Sequence, residues 1–258
     1  MRDLFLKKPC FVVSKVDPAS LNIYQHLKEF FPKENFFLIE KETIYCENLD
    51  EKINADIFVF LSRHVSQAKI PTLSVHVPGN FGPAEHGGIA KKLCIAPALL
   101  MRNIFLELNN LNNIGYDVVY EATHHGPYLA KKPCCFVEIG STKEEWQNKE
   151  AGKIVANAVA NAVKNFQEIK NTKIAVGIGG QHTCSNFNKL VIKQNIAFGH
   201  ICAKHSLASL DKEMFYQTIE RTLEKVNVVC LDWKGLGHHK EKVKEIIKDC
   251  DLEIIKIK

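Results

Sequence analysis

Two hydrophobic rhythms alternate along this chain. Short, almost wholly apolar runs recur at residues 10–16, 35–40, 57–61, 72–77, 116–120, 134–140, 173–178, 227–231 and 252–257. Runs of that length, bounded by turn residues, predict buried strands. Helical spacing fills the stretches between them. Asp17 before Pro18 places a capping acid ahead of a first-turn proline, predicting a helix that runs to about Phe31 and stops at Pro32. Leu100, Ile104, Leu108 and Leu111 share one face of a helix predicted over 97–112. Ser141 and Glu144 match a capping box, predicting a long helix to about Phe166 whose Ala151, Val155, Ala158 and Ala162 row permits close packing. Residues 189–193 and 196–199 read as short strands, with further helices over 210–225 and around Val243, Ile246 and Ile247.

Strands that alternate with helices and are apolar on both faces imply an α/β fold. The expected architecture is three layers, α/β/α, around a mostly parallel or mixed sheet. Neither a Pro/Ser-rich linker nor an internal repeat divides the chain, so one domain over residues 1–258 is expected. The Gly- and Pro-rich loop 78–88 is long for a compact domain, and such loops are usually functional or mobile.

Composition narrows the class. With 46% hydrophobic and 24% charged residues, the chain reads as globular. No run approaches the roughly 18–20 apolar residues of a membrane span, and residues 1–9 lack a signal-peptide core, so a cytoplasmic protein is expected. The nine cysteines then read as thiols, several in apolar runs, and no Cys-x-x-Cys marks a thiolate zinc knuckle. A net charge of +5 permits an anionic partner without requiring one.

The eleven histidines carry more. His64, His124, His125, His182, His200 and the pair His238-His239 each fall just past an apolar run. In open α/β sheets ligands bind beyond the carboxyl ends of the strands, so these imidazoles should converge on one rim with Glu121, Glu138 and Glu85. That donor set suits a divalent metal, zinc first, which would activate water and polarise an ester carbonyl. The centre of the rim is Glu121-Ala122-Thr123-His124-His125-Gly126-Pro127, where Gly126-Pro127 ends the strand. Adjacent strand residues face opposite ways, so His124 and His125 should have different jobs. His76, between two valines, reads equally as core or ligand. His26 and His205 read as ordinary residues, and Ser141-Thr142 as helix caps.

These motifs resemble the archaeal-type D-aminoacyl-tRNA deacylases. The resemblance is carried by residues 121–127, by 136–146 (Phe136-Val137-Glu138-Ile139-Gly140-Ser141-Thr142 and onward), by Gly177-Ile178-Gly179-Gly180-Gln181-His182 and by Ala197-Phe198-Gly199-His200-Ile201. Ser62-Arg63-His64, Gly79-Asn80-Phe81-Gly82 and Asp232-Trp233-Lys234-Gly235-Leu236 fit as well. Residues 181–186 and 202–205 depart from the family's usual runs. The resemblance implies a hydrolase of the ester joining a D-amino acid to tRNA, with two zinc ions (Zn2+) per chain. It also implies a fold similar to peptidyl-tRNA hydrolase and the nucleoside phosphorylases, acting as a monomer on the RNA 3′ end, without DNA or a membrane. On this reading His124, His182, His200 and Glu138 hold metal. His124, His125, Glu138 and Thr123 act in catalysis. Asn80 binds substrate, Gly179 and Gly180 offer backbone N–H groups to the oxyanion, Trp233 stacks on a base and Lys234 meets a phosphate. The rival readings are a metal-independent esterase of the peptidyl-tRNA hydrolase kind and a tRNA-binding protein without catalysis.

Overall fold

The computed structural model describes residues 7–166 and 171–257, so the reading of residues 1–6 as lacking a signal core lies outside the described residues. The strands are β1 (Pro9–Ser14), β2 (Phe36–Ile39), β3 (Ile57–Val65), β4 (Thr72–His76), β5 (Gly79–Asn80), β6 (Lys92–Leu93), β7 (Asp117–Tyr120), β8 (Cys134–Ser141), β9 (Lys173–Ile178), β10 (Ile196–Cys202), β11 (Val228–Asp232) and β12 (Glu253–Ile257). The helices are α1 (Pro18–Leu27), α2 (Leu49–Lys52), α3 (Ala98–Leu111), α4 (Lys143–Trp146), α5 (Lys149–Lys164), α6 (Ser185–Gln194), α7 (Lys212–Glu220) and α8 (Lys240–Ile247).

The expected α/β architecture, a mixed sheet flanked by helices, is present, and its strands divide between two main sheets. The first has the order β2-β1-β3-β8-β4-β7 and is parallel except where β4 meets β8. The second, β10-β9-β11-β12, is parallel throughout. Helices α1, α3 and α5 pack together beside the first sheet, and α6, α7 and α8 cover the second. Alternate residues of β9 and β11 face different cores. Ala175, Val228 and Cys230 join the main core, whereas Ile174, Val176, Val229 and Leu231 join a second one. The period-2 rhythm therefore welds the second sheet to the first on one side while it builds its own core on the other.

Several local expectations shift. Asp17 caps α1 through the N–H groups of Ala19 and Ser20, as its position before Pro18 implies, but the helix ends at Leu27 rather than Phe31. The capping box is Thr142 with Glu145, one residue later than expected, because Ser141 still belongs to β8. The long helix is broken near residue 147, where Asn148 accepts from the N–H groups of Glu150 and Ala151 and starts α5. Residues 189–193 lie within α6, not a strand. The buried Phe187, Leu190 and Val191 there follow the i, i+3, i+4 spacing that a short apolar run conceals.

One junction positions the site. Beyond β7 the chain leaves the first sheet, and the N–H groups of Ala122 and Thr123 donate to the carbonyls of His182 (2.8 Å) and Ile201 (2.9 Å) of the second. Residues 121–125 therefore lie on the seam between the sheets. Gly126 follows at a close approach, since a Cβ there would stand 2.2 Å from Gly88 N and 2.5 Å from Ile44 O.

Candidate metal and active site

A cavity of about 780 Å³ opens at this seam, with Thr123, His124, His125, His64, Glu138 and His182 in its wall. Four segments deliver them: β3 brings His64, β8 Glu138, the crossing chain Glu121, His124 and His125, and the turn after β9 His182. That turn needs glycine, because Gly179 and Gly180 adopt φ of +97° and +80°.

Glu121 is the electrostatic centre. Its side chain is fully buried, and Oε2 accepts from His182 Nε2 at 2.9 Å and His64 Nδ1 at 3.1 Å. Burial works to raise its pKa, but the hydrogen bonds from His182 and His64 outweigh it and hold the carboxyl well below the usual range. Glu138, 3.7 Å from His76 Nε2 and 3.8 Å from His64 Nδ1, goes the other way. Burial and the charge of Glu121 push it well above its ordinary value. Two carboxyl groups within one cluster are thus driven apart, as like charges in a dry site must be.

The imidazoles divide in the same way. Burial tends to lower His64, yet Glu121 and Glu138 lift it from 6.5 to about 9. Burial and the neighbouring rings lower His76 to about 4, His125 to about 3, and His124 well below 6.5. These three stay neutral, with a shared tautomer. His76 Nδ1 faces the carbonyl of Val77 (3.3 Å), His124 Nδ1 that of Ala122 (2.7 Å) and His125 Nδ1 that of Gly126 (2.6 Å). A carbonyl only accepts, so each Nδ1 carries the proton and each Nε2 presents a lone pair. Metal-binding histidines are oriented in this manner by a second hydrogen bond.

The donor atoms form three overlapping groups, each within 4.8 Å: His76, His124 and His125; His64, Glu121 and His182; His76, Glu121 and Glu138. Glu121 and His76 each serve two of them. Among the described residues His76 Nε2 and Glu121 Oε1 are buried without a hydrogen-bond partner. Such groups are rare in folded proteins, and a cation would satisfy both. One all-imidazole set beside one with a carboxylate fits zinc.

The His64–Glu121 pair has a consequence for pH. A histidine whose folded pKa is raised contributes stability that is complete below its unfolded value of 6.5 and is lost as pH rises through the folded value, here about 9. The metal-free protein should therefore lose stability between pH 6.5 and 9. His64→Gln should flatten that decline in thermal midpoints recorded across the interval. An equal decline in the variant would show that the pair is not its source.

The site gathers some expected residues and leaves others aside. His124, His125, Glu138, His182 and Thr123 come together. His200 does not join them: it is fully buried in β10, its Nδ1 3.1 Å from the Thr123 hydroxyl and its Nε2 3.1 Å from the carbonyls of both Cys94 and Arg221. Among the described residues it is absent from the metal-binding groups, and both of its nitrogens are engaged elsewhere. Gly179 cannot offer its N–H to an oxyanion, since that group donates to Cys202 O at 2.8 Å, and Gly180 faces a neighbouring cavity. Asn80 lines the cavity but ties its Nδ2 to Gly87 O. Lys234 lies at the neighbouring cavity, and Trp233 has lysine ammonium groups over its ring. His64, His76 and Glu121, absent from the ligand set that the resemblance implies, are central. Their sequence signal was a titratable residue within or directly after an apolar run.

Over residues 51–255 the sequence matches the family described as D-aminoacyl-tRNA deacylase. The D-aminoacyl-tRNA deacylase of Thermococcus kodakarensis is 39% identical over 95% of this chain and 98% of its own length. That of Pyrococcus furiosus is 35% identical over the same shares, and one from Methanococcus maripaludis is 36% identical over 94% of this chain and 96% of its own. A crystal structure of a conserved protein of unknown function shares the fold with a TM-score of 0.88 at 29% identity, covering 98% of this chain and 96% of that one. Matched along nearly its whole length by proteins of one description, with its histidine–glutamate cluster inside the matched region, this chain belongs to the D-aminoacyl-tRNA deacylase family.

Proposed function

We propose that the chain hydrolyses the ester between a D-amino acid and the tRNA 3′ end, releasing both and keeping D-residues out of translation. The observation that supports this most is a cluster of five histidines and two glutamates, of which His64, His124, His125, His182 and Glu138 line one open cavity, in a member of this family. Zinc is the cofactor that fits. Two ions per chain match the two of the three donor groups that share no residue, His76/His124/His125 and His64/Glu121/His182. Bound there, zinc would supply Lewis-acid polarisation and an activated water.

The remaining work falls to the chain itself. The Nδ1–H bonds to Val77, Ala122 and Gly126 fix three rings before substrate arrives, so no reorganisation is needed during the reaction. Glu138, its carboxyl pushed well above the usual range by burial and Glu121, is placed to pass a proton. His125 and Thr123 line the approach to the ester. Chiral selection is steric: the fixed histidine wall admits one hand of the α-carbon with its carbonyl toward the cluster. We take residues 1–258 to act as one domain and as a monomer, in the cytoplasm where aminoacyl-tRNA is found. The core shared by both sheets supports the first of these.

D-Tyr-tRNA and L-Tyr-tRNA should be offered in parallel. Release from the D-ester alone, suppressed by a chelator and restored by zinc, is the expected result. Turnover indifferent to the chelator would favour a metal-free histidine-base esterase, and no turnover would leave only tRNA binding.

A further inference from the structure

A second cavity, about 760 Å³, adjoins the first, with His182 and His205 in the wall common to both. Its chemistry is different. Lys204, Lys234, His238 and His239 line it, against one acid, Asp232, whose carboxylate already accepts from Asn186 Nδ2 and Gly235 N. Next to Lys234, the ring of Trp233 has the ammonium groups of Lys240, Lys244 and Lys256 at 5.4, 5.6 and 4.7 Å from its centre. An indole face attracts cations through its quadrupole, so Trp233 gathers three flexible side chains from α8 and β12 into one place.

Of the three lysines over Trp233, only Lys244 is neutralised locally, by Glu241. Among the described residues Lys204, Lys234, Lys240 and Lys256 have no carboxylate partner, whereas Lys15, Lys91, Lys212 and Lys248 elsewhere each have one. The acids carried by the same elements are engaged, Glu241 with Lys244 and Glu253 with Lys173. A focused patch of like charge is disfavoured in the free protein and complements a polyanion.

We propose that the lysine cluster around Trp233, with the cavity beside it, seats the phosphates of the tRNA acceptor stem. The single-stranded 3′ end then crosses the His182–His205 wall into the first cavity. The inference rests on the deacylase reading, which puts the ester at the end of an RNA duplex. Double-stranded RNA is read through its backbone and shape, and ammonium groups supply the sequence-independent part of that contact. Trp233 accordingly acts as the anchor of a cationic surface rather than as a stacking platform for a base.

The test uses a Lys240→Gln/Lys244→Gln/Lys256→Gln variant, its folding checked by its thermal midpoint. Affinity for deacylated tRNA is measured across salt concentrations for this variant and the wild type. Three lost phosphate contacts should flatten the slope of log K against log salt by up to about 2.7 and weaken binding by at least about tenfold at 0.1 M salt. The wild-type preference for D-aminoacyl-tRNA over a D-aminoacyl trinucleotide should shrink in parallel. An unmoved slope in a folded variant overturns the inference. Because the slope is read on uncharged tRNA, it answers independently of hydrolysis. A hydrolysing enzyme with an unmoved slope sinks this proposal alone, and absent hydrolysis sinks the deacylase reading.

Discussion

Replacing Glu121 with glutamine should lower kcat/KM for D-aminoacyl-tRNA by at least about 10³-fold, beyond the 10–100-fold typical of an outer-shell partner of a metal. The carboxylate belongs to two of the three donor groups, so one substitution weakens both. The amide is nearly isosteric, which separates the effect from packing. An amide –NH₂ turned toward His182 Nε2 or His64 Nδ1 would set donor against donor at contacts of 2.9 and 3.1 Å. His64 would also lose the partner that lifts its pKa. Bound zinc, measured by elemental analysis on the purified variant, should fall together with activity. Turnover within about tenfold of wild type, with full metal content, would remove Glu121 from the centre of the site.

The second large effect is expected at His200, and there it should be one of stability. Alanine at this position leaves a fully buried void, two carbonyls without their donor and a Thr123 hydroxyl without its acceptor. Void and orphaned polar groups together should cost about 2–5 kcal/mol in denaturant unfolding. The folded fraction should still bind zinc at the wild-type stoichiometry, because His200 is not in the cluster. If metal content falls while stability holds, His200 is a ligand after all and its hydrogen-bonded place in β10 has been misjudged.

These two residues also mark how far the sequence could be read. The strand–helix alternation and most apolar runs led to the observed elements, because burial on both faces leaves a continuous apolar signature. A histidine just past such a run looked like a ligand, and for His124, His125 and His182 the structure does bring the side chains together. His64 and His200 show where the rule blurs. Both lie inside strands that run further than their apolar cores, β3 to Val65 and β10 to Cys202, so neither stands at a strand end. One then turns toward a carboxylate and the other toward carbonyls, a choice made by partners roughly 57 and 106 residues away in the chain. His76 was undecidable for a related reason: alternation with valines places it, but not what faces it. The division of strands between two sheets was equally silent, since every strand is apolar whichever sheet it joins. Gly179 looked free to bind an oxyanion because a Gly-Gly turn exposes backbone, until Cys202 was found to hold its N–H.

The seam at Ala122 and Thr123 gives ligand binding a mechanical meaning. The donor atoms come from β3, β4 and β8 on one side and from the end of β9 on the other, with the crossing chain between them. An ion held by both sides acts as a clasp, and the sheets cannot part while it remains. By linkage, a ligand at 100 times its dissociation constant that binds only the closed form adds about 2.7 kcal/mol against opening. Occupancy and the integrity of the junction are then one equilibrium, and a bound ion adds its share to the common core in holding the two sheets together.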